Sequence, residues 1–267
     1  METETFRKII RSNFRKEGRS FPWRENLDPW GILVSEFMLQ QTQTERVIPY
    51  WKRWMEIWPS PGGLAGAELE AVLREWSGLG YNRRAKYLKA AAEAIQNEFG
   101  GVVPRTPEEL KRLSGVGNYS AGAIACFAYN YPALFIETNI RTVFIHFFFP
   151  ERDLVSDGDI FPILEKTLDR KNPRTWYWAL MDYGARLKKC TVNPGRKSSA
   201  YTRQSPFKGS LRQTRGAVLR ALVSQGPLSA GDLYRIAGTE KDGLTAALNG
   251  LKADHLVAEE EGIYRIP

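Results

Sequence analysis

Cysteine, histidine and long apolar runs are all scarce in this chain. Two cysteines, Cys126 and Cys190, are too few for a disulfide framework and fit a reducing cytoplasm. The two histidines, His146 and His255, stand far apart and offer no metal-ligand cluster. No apolar run reaches the roughly 18 residues that mark a membrane span. The opening stretch METETFRKIIRSNFRKEG is charged throughout, unlike a signal peptide.

Acidic residues are also missing from one long segment. Tyr183 to Ser210 holds seven Lys or Arg and no Asp or Glu, whereas Ser210 to Pro267 holds seven of each sign. The net charge of +8 therefore lies before the last 58 or so residues. A one-sign segment of this length points to a polyanion; the competing reading is a self-repelling solvated linker.

What is present is mostly helical pattern. The 267 residues suit one large domain or two smaller ones. Asp28-Pro29 and Thr106-Pro107 each pair an N-cap with proline at the first helical position. AELEAVLREW and RRAKYLKAAAEAIQNEF are amphipathic at helical spacing, with SGLGYN between them. IRTVFIHFFF reads as a buried helix, followed by helices in IFPILEKTLDR and PRTWYWALMDYGARL. Proline, glycine and serine break up the basic segment, which reads as a connector over residues 186–209. Beyond it, LRQTRGAVLRALVSQ, SAGDLYRIAG and KDGLTAALNGLKADH predict three helices, and LVAEEEGIYRIP predicts a hairpin turning at Glu261-Gly262. Three helices and a hairpin suggest a winged helix-turn-helix over residues 210–267.

Two local patterns carry chemistry. In LKRLSGVGNYSAGAIACFAY, one helix is expected to end at Leu113 and another to begin after Gly117. Gly115 and Gly117 allow a tight turn with positive φ and leave N–H groups free at a helix N-terminus, which suits a phosphate, while Val116 plugs the turn into the core. In WGILVSEFMLQQTQ, helical spacing puts Glu36, Gln40 and Gln43 on one stripe and Trp30, Val34, Phe37 and Met38 on another. Glu36 then lies at the edge of the core with amides beside it. Desolvation without a cation raises a carboxyl pKa, and such a group can hold and deliver a proton. The competing reading is a solvent-facing acid that favours the helix dipole.

The segments PWRENLDPWGILVSEFMLQQTQTERVIPYW, WSGLGYNRRAKYLKAA, LSGVGNYSAGAI and ALMDYGA resemble, in the same order, those of the A/G-specific adenine DNA glycosylase (MutY) family. That family belongs to the helix-hairpin-helix DNA glycosylase superfamily. The resemblance implies a mostly α, two-lobed fold over residues 1–185, with N-terminal residues packing on the later helices, the active site in the cleft between the lobes, and the small winged helix after it. It also implies a monofunctional hydrolase of base excision repair. This would act on a mismatch in double-stranded DNA, adenine opposite 8-oxoguanine or guanine, as a monomer in the cytoplasm associated with the nucleoid.

By the same resemblance, Glu36 protonates the flipped purine and helps to activate water. Glu137, in FIETNIRTV, stands where the family has an Asp that stabilises the oxocarbenium-like sugar. It is one methylene longer and a poorer helix cap, and a solvent-facing loop acid is the competing reading. Tyr119 stands where bifunctional relatives carry a Schiff-base lysine, so little strand cleavage is expected. Gln41 and Tyr81 match intercalating residues, with core packing the alternative for Tyr81. Leu39, Thr42 and Leu79 match positions near the orphaned base. Trp23 and Arg24 match the pocket wall, and Trp178 replaces a Gln or Glu that reads the adenine edge; indole offers one donor and no acceptor. That substitution leaves thymine, uracil or a modified base as the alternative substrate.

The family's C-x6-C-x2-C-x5-C iron–sulfur ligands fall here at Lys188, Gly195, Ser198 and Gln204, so a clusterless relative is expected. The resemblance leaves room for a monovalent cation at the hairpin. Arg186, Lys188, Lys189, Arg196 and Lys197 are the candidates for touching phosphate. The last 58 residues are too few for the family's usual C-terminal domain that recognises 8-oxoguanine. Glu259, Glu260 and Glu261 on the wing would repel phosphate, so the winged helix is open to either DNA contact or a packing role. A non-catalytic DNA-binding protein that clamps DNA with the hairpin and the winged helix is the rival from a different class.

Overall fold

The computed structural model describes residues 1–204 and 206–267. Twelve helices come first: α1 (Thr3–Glu17), α2 (Pro22–Glu25), α3 (Pro29–Leu39), α4 (Thr44–Ile57), α5 (Pro61–Ala65), α6 (Leu69–Trp76), α7 (Arg83–Glu98), α8 (Pro107–Leu110), α9 (Asn118–Tyr129), α10 (Thr138–Phe148), α11 (Asp157–Thr167) and α12 (Pro173–Cys190). A 3-10 turn at Pro194–Lys197 precedes α13 (Leu211–Gln225), β1 (Leu228–Ser229), α14 (Ala230–Ala237), α15 (Lys241–Ala253), β2 (Ala258–Glu260) and β3 (Ile263–Arg265). No helix among the described residues is long and apolar enough to cross a membrane.

The chain divides into two units. The first holds Met1–Ile32, Pro104–Arg112 and Val116–Arg203; the second holds Leu33–Val103, Leu113–Gly115 and Gln204–Pro267.

The first unit is built round α10, whose Ile140, Val143, Phe144 and Ile145 are buried. Helix α12 crosses it closely at Gly184, where a Cβ would lie 2.2 Å from the Asn139 carbonyl oxygen. The Gly of ALMDYGA is therefore a packing requirement. Helix α1 adds Phe6, whose ring lies 5.0 to 5.8 Å from those of Phe148, Phe147, Phe144 and Trp176. Burying such a ring contributes roughly 1.5–3 kcal/mol. The Arg7 guanidinium donates to the carbonyls of Thr167 and Leu168, both at 3.1 Å, satisfying the open end of α11. Helix starts follow the sequence signals. Asp28 accepts from Gly31 N at 2.9 Å, and Thr106 with Glu109 and Ser156 with Asp159 form reciprocal capping boxes.

In the second unit, α7 buries Ala85, Leu88, Ala91, Ala92 and Ile95. The Trp54 ring packs edge-on to Trp58 and Trp76 at 4.6 and 5.4 Å. At the end of the chain, α13, α14 and α15 join a three-stranded antiparallel sheet of order β1-β3-β2, a winged-helix arrangement. The hairpin turns at Glu261 and Gly262 with φ of +50 and +79°, the left-handed pair that a two-residue hairpin needs. Strand β1 has no counterpart in the sequence reading, because two residues are too few to alternate. Asp254, after α15, ties this module to α7: its carboxylate takes Arg83 and Arg215, and its carbonyl accepts from Lys86 Nζ at 2.9 Å.

Three boundaries differ from the sequence reading. Helix α8 stops at Leu110, three residues before the expected Leu113. Helix α3 stops at Leu39, and Gln43 instead caps the start of α4. Helix α12 runs on to Cys190, because nothing before Pro194 breaks it, so Arg186, Lys188 and Lys189 lie on a helix rather than in the connector.

Candidate active site and nucleic-acid interface

Helix α3 carries Glu36 in its last turns, and the side chain is 5% exposed. Ile32, Leu33, Val34, Phe37 and Met38 beside it in sequence are all buried. The expected stripe of Glu36, Gln40 and Gln43 does not form. The helix has ended by Gln40, and Gln41 adopts a φ of +56°. What ends it is Arg84, on α7 and buried. Arg84 Nη1 donates to the carbonyls of Phe37, Met38 and Gln40 at 2.8, 2.8 and 2.7 Å, and Nη2 to Thr42 Oγ1 at 3.1 Å and Gly80 O at 3.0 Å. One guanidinium thus satisfies the orphan carbonyls of α3 and fastens two loops. Burial lowers its pKa to about 10, which leaves it charged at neutral pH.

The second loop is SGLGY. Gly78, Gly80 and Tyr81 all take positive φ, at +104, +76 and +49°. Leu79 points inward and is 4% exposed, so it anchors the loop, while Leu39 is half-buried and Gln41 is exposed. Tyr81 is half-buried; its hydroxyl accepts from Arg212 Nη1 at 2.7 Å and from the Gln204 amide. The Arg212 guanidinium also lies over its ring at 5.4 Å. All of these residues belong to the second unit.

At the hairpin, Gly115 has a φ of +79°, and a Cβ there would lie 2.7 Å from Tyr87 Cβ and 2.9 Å from Phe37 Cε1. No other residue fits. Val116 is buried, as the sequence implies. Gly117 differs: its φ of −90° suits any residue and nothing lies within 4 Å of where its Cβ would be. Only Gly115 needs the left-handed conformation. Gly117 is the N-cap of α9 and places no side chain over its first turn.

In the first unit, Glu137 caps α10. Its Oε1 accepts from the N–H groups of Asn139 and Ile140 at 2.7 and 2.9 Å, and its Oε2 from Asn139 Nδ2 at 3.1 Å. The extra methylene does not prevent capping. The residue is half-buried, with its carboxyl group among protein atoms. Desolvation pushes that carboxyl above its ordinary value, opposed by the two N–H groups and by the charges of Lys188 and Arg141. Lys188 donates to Asn139 Oδ1 at 2.8 Å, and burial lowers its pKa. Tyr119 is half-buried and packs edge-on against Phe135 at 5.9 Å.

Trp23 is buried and stacked on Phe21 at 5.4 Å. Arg24 is held in place: its Nη1 and Nη2 donate to the Asp182 carboxylate at 2.8 and 3.0 Å. Arg19 donates to the same carboxylate from its backbone N and its guanidinium. The Arg24 guanidinium lies 5.2 Å from the Trp178 ring centroid, and Trp178 stacks on Phe127 at 6.0 Å.

Of the five basic-segment candidates, Lys189 and Arg196 are exposed, Arg186 pairs with Glu17, Lys197 donates to Pro150 O at 2.7 Å, and Lys188 is turned inward beside Glu137. The residues at the four cluster positions do not fit an iron–sulfur cluster. Lys188 serves Asn139, Gly195 has no side chain, Ser198 is buried with its hydroxyl taken by Ala200 N, and the Gln204 amide reaches Tyr81. No group of three His, Cys, Asp or Glu placed to hold a metal occurs among the described residues. Backbone pairing secures this stretch: Val155 N donates to Lys197 O and Ser199 N to Val155 O, both at 2.9 Å.

Sequence reasoning missed three residues: Arg84, Asp182 and Arg212. Each stood inside a quoted segment. None had a local signal, because the loop Arg84 ties to Gly80 lies 42 to 47 residues away, the arginines on Asp182 158 to 163, and Tyr81 131 from Arg212.

A profile of the HhH-GPD superfamily base excision DNA repair proteins matches residues 34–167. An adenine DNA glycosylase of Mycobacterium tuberculosis H37Rv is 34% identical over 282 residues, covering 95% of this chain and 91% of that protein. The human adenine DNA glycosylase is 34% identical over 241 residues, covering 85% of this chain and 43% of its own length. Among solved structures, a thermostable thymine-DNA glycosylase superposes with a TM-score of 0.61 at 24% identity, over 68% of this chain and 86% of that one. A trapped endonuclease III–DNA covalent intermediate gives a TM-score of 0.59 at 18% identity, over 70% and 87%. At these identities the two structures bear on the fold alone.

Proposed function

The chain belongs to the HhH-GPD superfamily of base excision DNA repair proteins and, within it, to the adenine DNA glycosylase family, and on that premise we propose that it is a monofunctional glycosylase that removes adenine mispaired with 8-oxoguanine or guanine. The observation that carries this reading is the burial of Glu36. A buried acid on an apolar helix is costly to fold around, and a catalytic proton donor needs such a dry site.

In the proposed reaction, the target adenine leaves the stack, at a cost of a few kcal/mol. Gln41 and Tyr81, on loops tied down by Arg84, occupy the vacated space. Glu36 donates its proton to the flipped base. The C1′–N bond breaks, and the electron pair leaves with the base. Glu137 in its ionised form stabilises the positive sugar. Water then adds to C1′, and its proton returns to the Glu36 carboxylate, leaving an abasic site. The hairpin around Gly117 and the N-terminus of α9 hold a phosphate oxygen. Tyr119 has no amine, so no Schiff base forms and the strand stays intact.

The test is incubation with labelled duplexes holding A:8-oxoguanine, A:G, T:G and U:G, followed by alkali. Release from the two adenine duplexes is expected. Release from T:G or U:G alone would replace the adenine reading with the pyrimidine one, which Trp178 leaves open because indole cannot accept from an adenine amino group. Release from none would leave a DNA-binding protein.

A further inference from the structure

Lys188 stands where the family resemblance places the first iron–sulfur ligand, and its surroundings lie wholly in the first unit. The structure gives this position a different task. Lys188 is half-buried, and burial lowers its pKa. Turning an ammonium group inward is costly unless a polar group receives it. Here that group is Asn139: Lys188 Nζ donates to Asn139 Oδ1 at 2.8 Å. The amide hands the contact on, because Asn139 Nδ2 donates to Glu137 Oε2 at 3.1 Å. Ammonium, amide and carboxylate form one run of hydrogen bonds from α12 to the start of α10.

This run has a single workable polarity. A reversed amide would set its two N–H donors against the ammonium and its oxygen against the carboxylate. Lys188 therefore fixes which end of Asn139 faces Glu137. The two oxygens of Glu137 are held differently. Backbone N–H groups of Asn139 and Ile140 secure Oε1, whereas Oε2 depends on the Asn139 side chain, which needs an anchor of its own. A glutamate also has one more rotatable bond than an aspartate, so more is needed to hold its second oxygen.

Neighbouring contacts bring Lys188 to this place. Gly184, one helical turn before it, lets α12 approach so closely that a Cβ there would lie 2.8 Å from Asn139 Cβ. Gly195, at the second ligand position, packs on α10, where a Cβ would lie 2.6 Å from Thr142 Oγ1. The other cation near Glu137, Arg141, is held by the Asp157 carboxylate at 2.6 and 2.7 Å. The acid that acts on Lys188 is Glu137 itself.

We propose that Lys188 is a positioning residue for base excision: acting through Asn139, it holds the Glu137 carboxylate in one orientation and gives it a balancing charge. The assignment rests on reading Glu137 as the acid that stabilises the positive sugar. It replaces the phosphate contact that the basic run suggests for Lys188.

Single-turnover base release is measured at saturating protein on a duplex that the wild type turns over, and anisotropy over a salt series gives affinity. Lys188→Met is expected to slow release by about 10- to 100-fold, since a misplacement of about 1 Å costs on the order of 100-fold. Affinity and salt slope should stay as in the wild type. A phosphate contact would do the reverse: the slope of log K against log salt would fall by about 0.9 and the saturated rate would hold, which overturns the proposal. Glu137→Gln supplies a second readout. In that background Lys188→Met should slow release no further, because the carboxylate it acts through is gone. The same slowing in both backgrounds is the mark of a merely structural role and overturns the proposal. Lys188→Arg, which keeps a charge and its donors, should restore most of the rate. Thermal melts establish folding, and Lys188→Gln takes the place of Lys188→Met should that variant not fold. A wild type that releases no base from any of the four duplexes overturns the glycosylase reading and this inference with it. Release by the wild type and an equal rate in Lys188→Met overturn this inference alone.

Discussion

The two units bury their arginines in opposite ways. In the first, Arg24 and Arg19 converge on the carboxylate of Asp182, which is 5% exposed. In the second, Arg84 bonds to four carbonyls and a hydroxyl, with no carboxylate partner among the described residues. The first arrangement joins α2 to α12 through a carboxylate that both guanidinium groups share. The second holds a single guanidinium beneath Gln41 and Tyr81 on the carbonyl dipoles of a helix end. A carboxylate that gathers two arginines ties helices together; a cation on helix-end dipoles shapes the loops around it. The acids differ in place too. Glu137 sits at a helix N-terminus, where two backbone N–H groups favour its ionised form, whereas Glu36 is buried in the last turns of α3.

The largest expected effect separates the two acids by chemistry. Glu36→Gln removes a proton donor and should slow adenine release by about 10²–10⁴-fold, with duplex affinity retained. Single-turnover kinetics beside anisotropy would measure both, and a loss of folding would point to a structural role instead. The next contrast concerns the arginines. Asp182→Ala leaves two guanidinium groups facing each other and should destabilise by about 3–5 kcal/mol in urea unfolding. Arg84→Met should also destabilise, by roughly 1–3 kcal/mol for each acceptor left dry, partly offset by no longer burying a charge. Unlike Asp182→Ala, it should in addition weaken DNA binding, through loosening of residues 40–42 and 80–81. Unchanged DNA affinity in Arg84→Met would erase the distinction.

The smallest effect is a pH dependence. Burial raises the Glu137 carboxyl in spite of the two N–H groups and the charges of Lys188 and Arg141, so the folded protein binds its proton more tightly than the unfolded chain does. That preference contributes fully below the ordinary carboxyl value and is lost as pH rises through the raised folded value. Glu137→Gln should therefore match the wild type in acid and melt higher at neutral pH, by about 2–4 °C for each kcal/mol recovered. A melting temperature that falls at neutral pH would mean that the ionised form is the better held.

Much of the helical layout was legible in advance. Thr106-Pro107, Asp28-Pro29 and Glu261-Gly262 each name a local backbone geometry, and each is observed. The stripe through Glu36, Gln40 and Gln43 failed because periodicity assumes that the helix continues. The residue that stops it, Arg84, is more than forty positions away. Lys188 looked like a surface cation in a basic run, but packing turns it toward Asn139. The extra length of Glu137 suggested a poor cap, yet it reaches two N–H groups.

Caps, turns and apolar periods were settled within a few neighbouring residues, since φ preference and side-chain direction are local properties of the chain. The Asp182 cluster, the Arg84 cradle and the hold of Arg212 on Tyr81 came only with folding. Each joins groups far apart in sequence, and which donor meets which acceptor depends on how the helices pack rather than on the residues beside them.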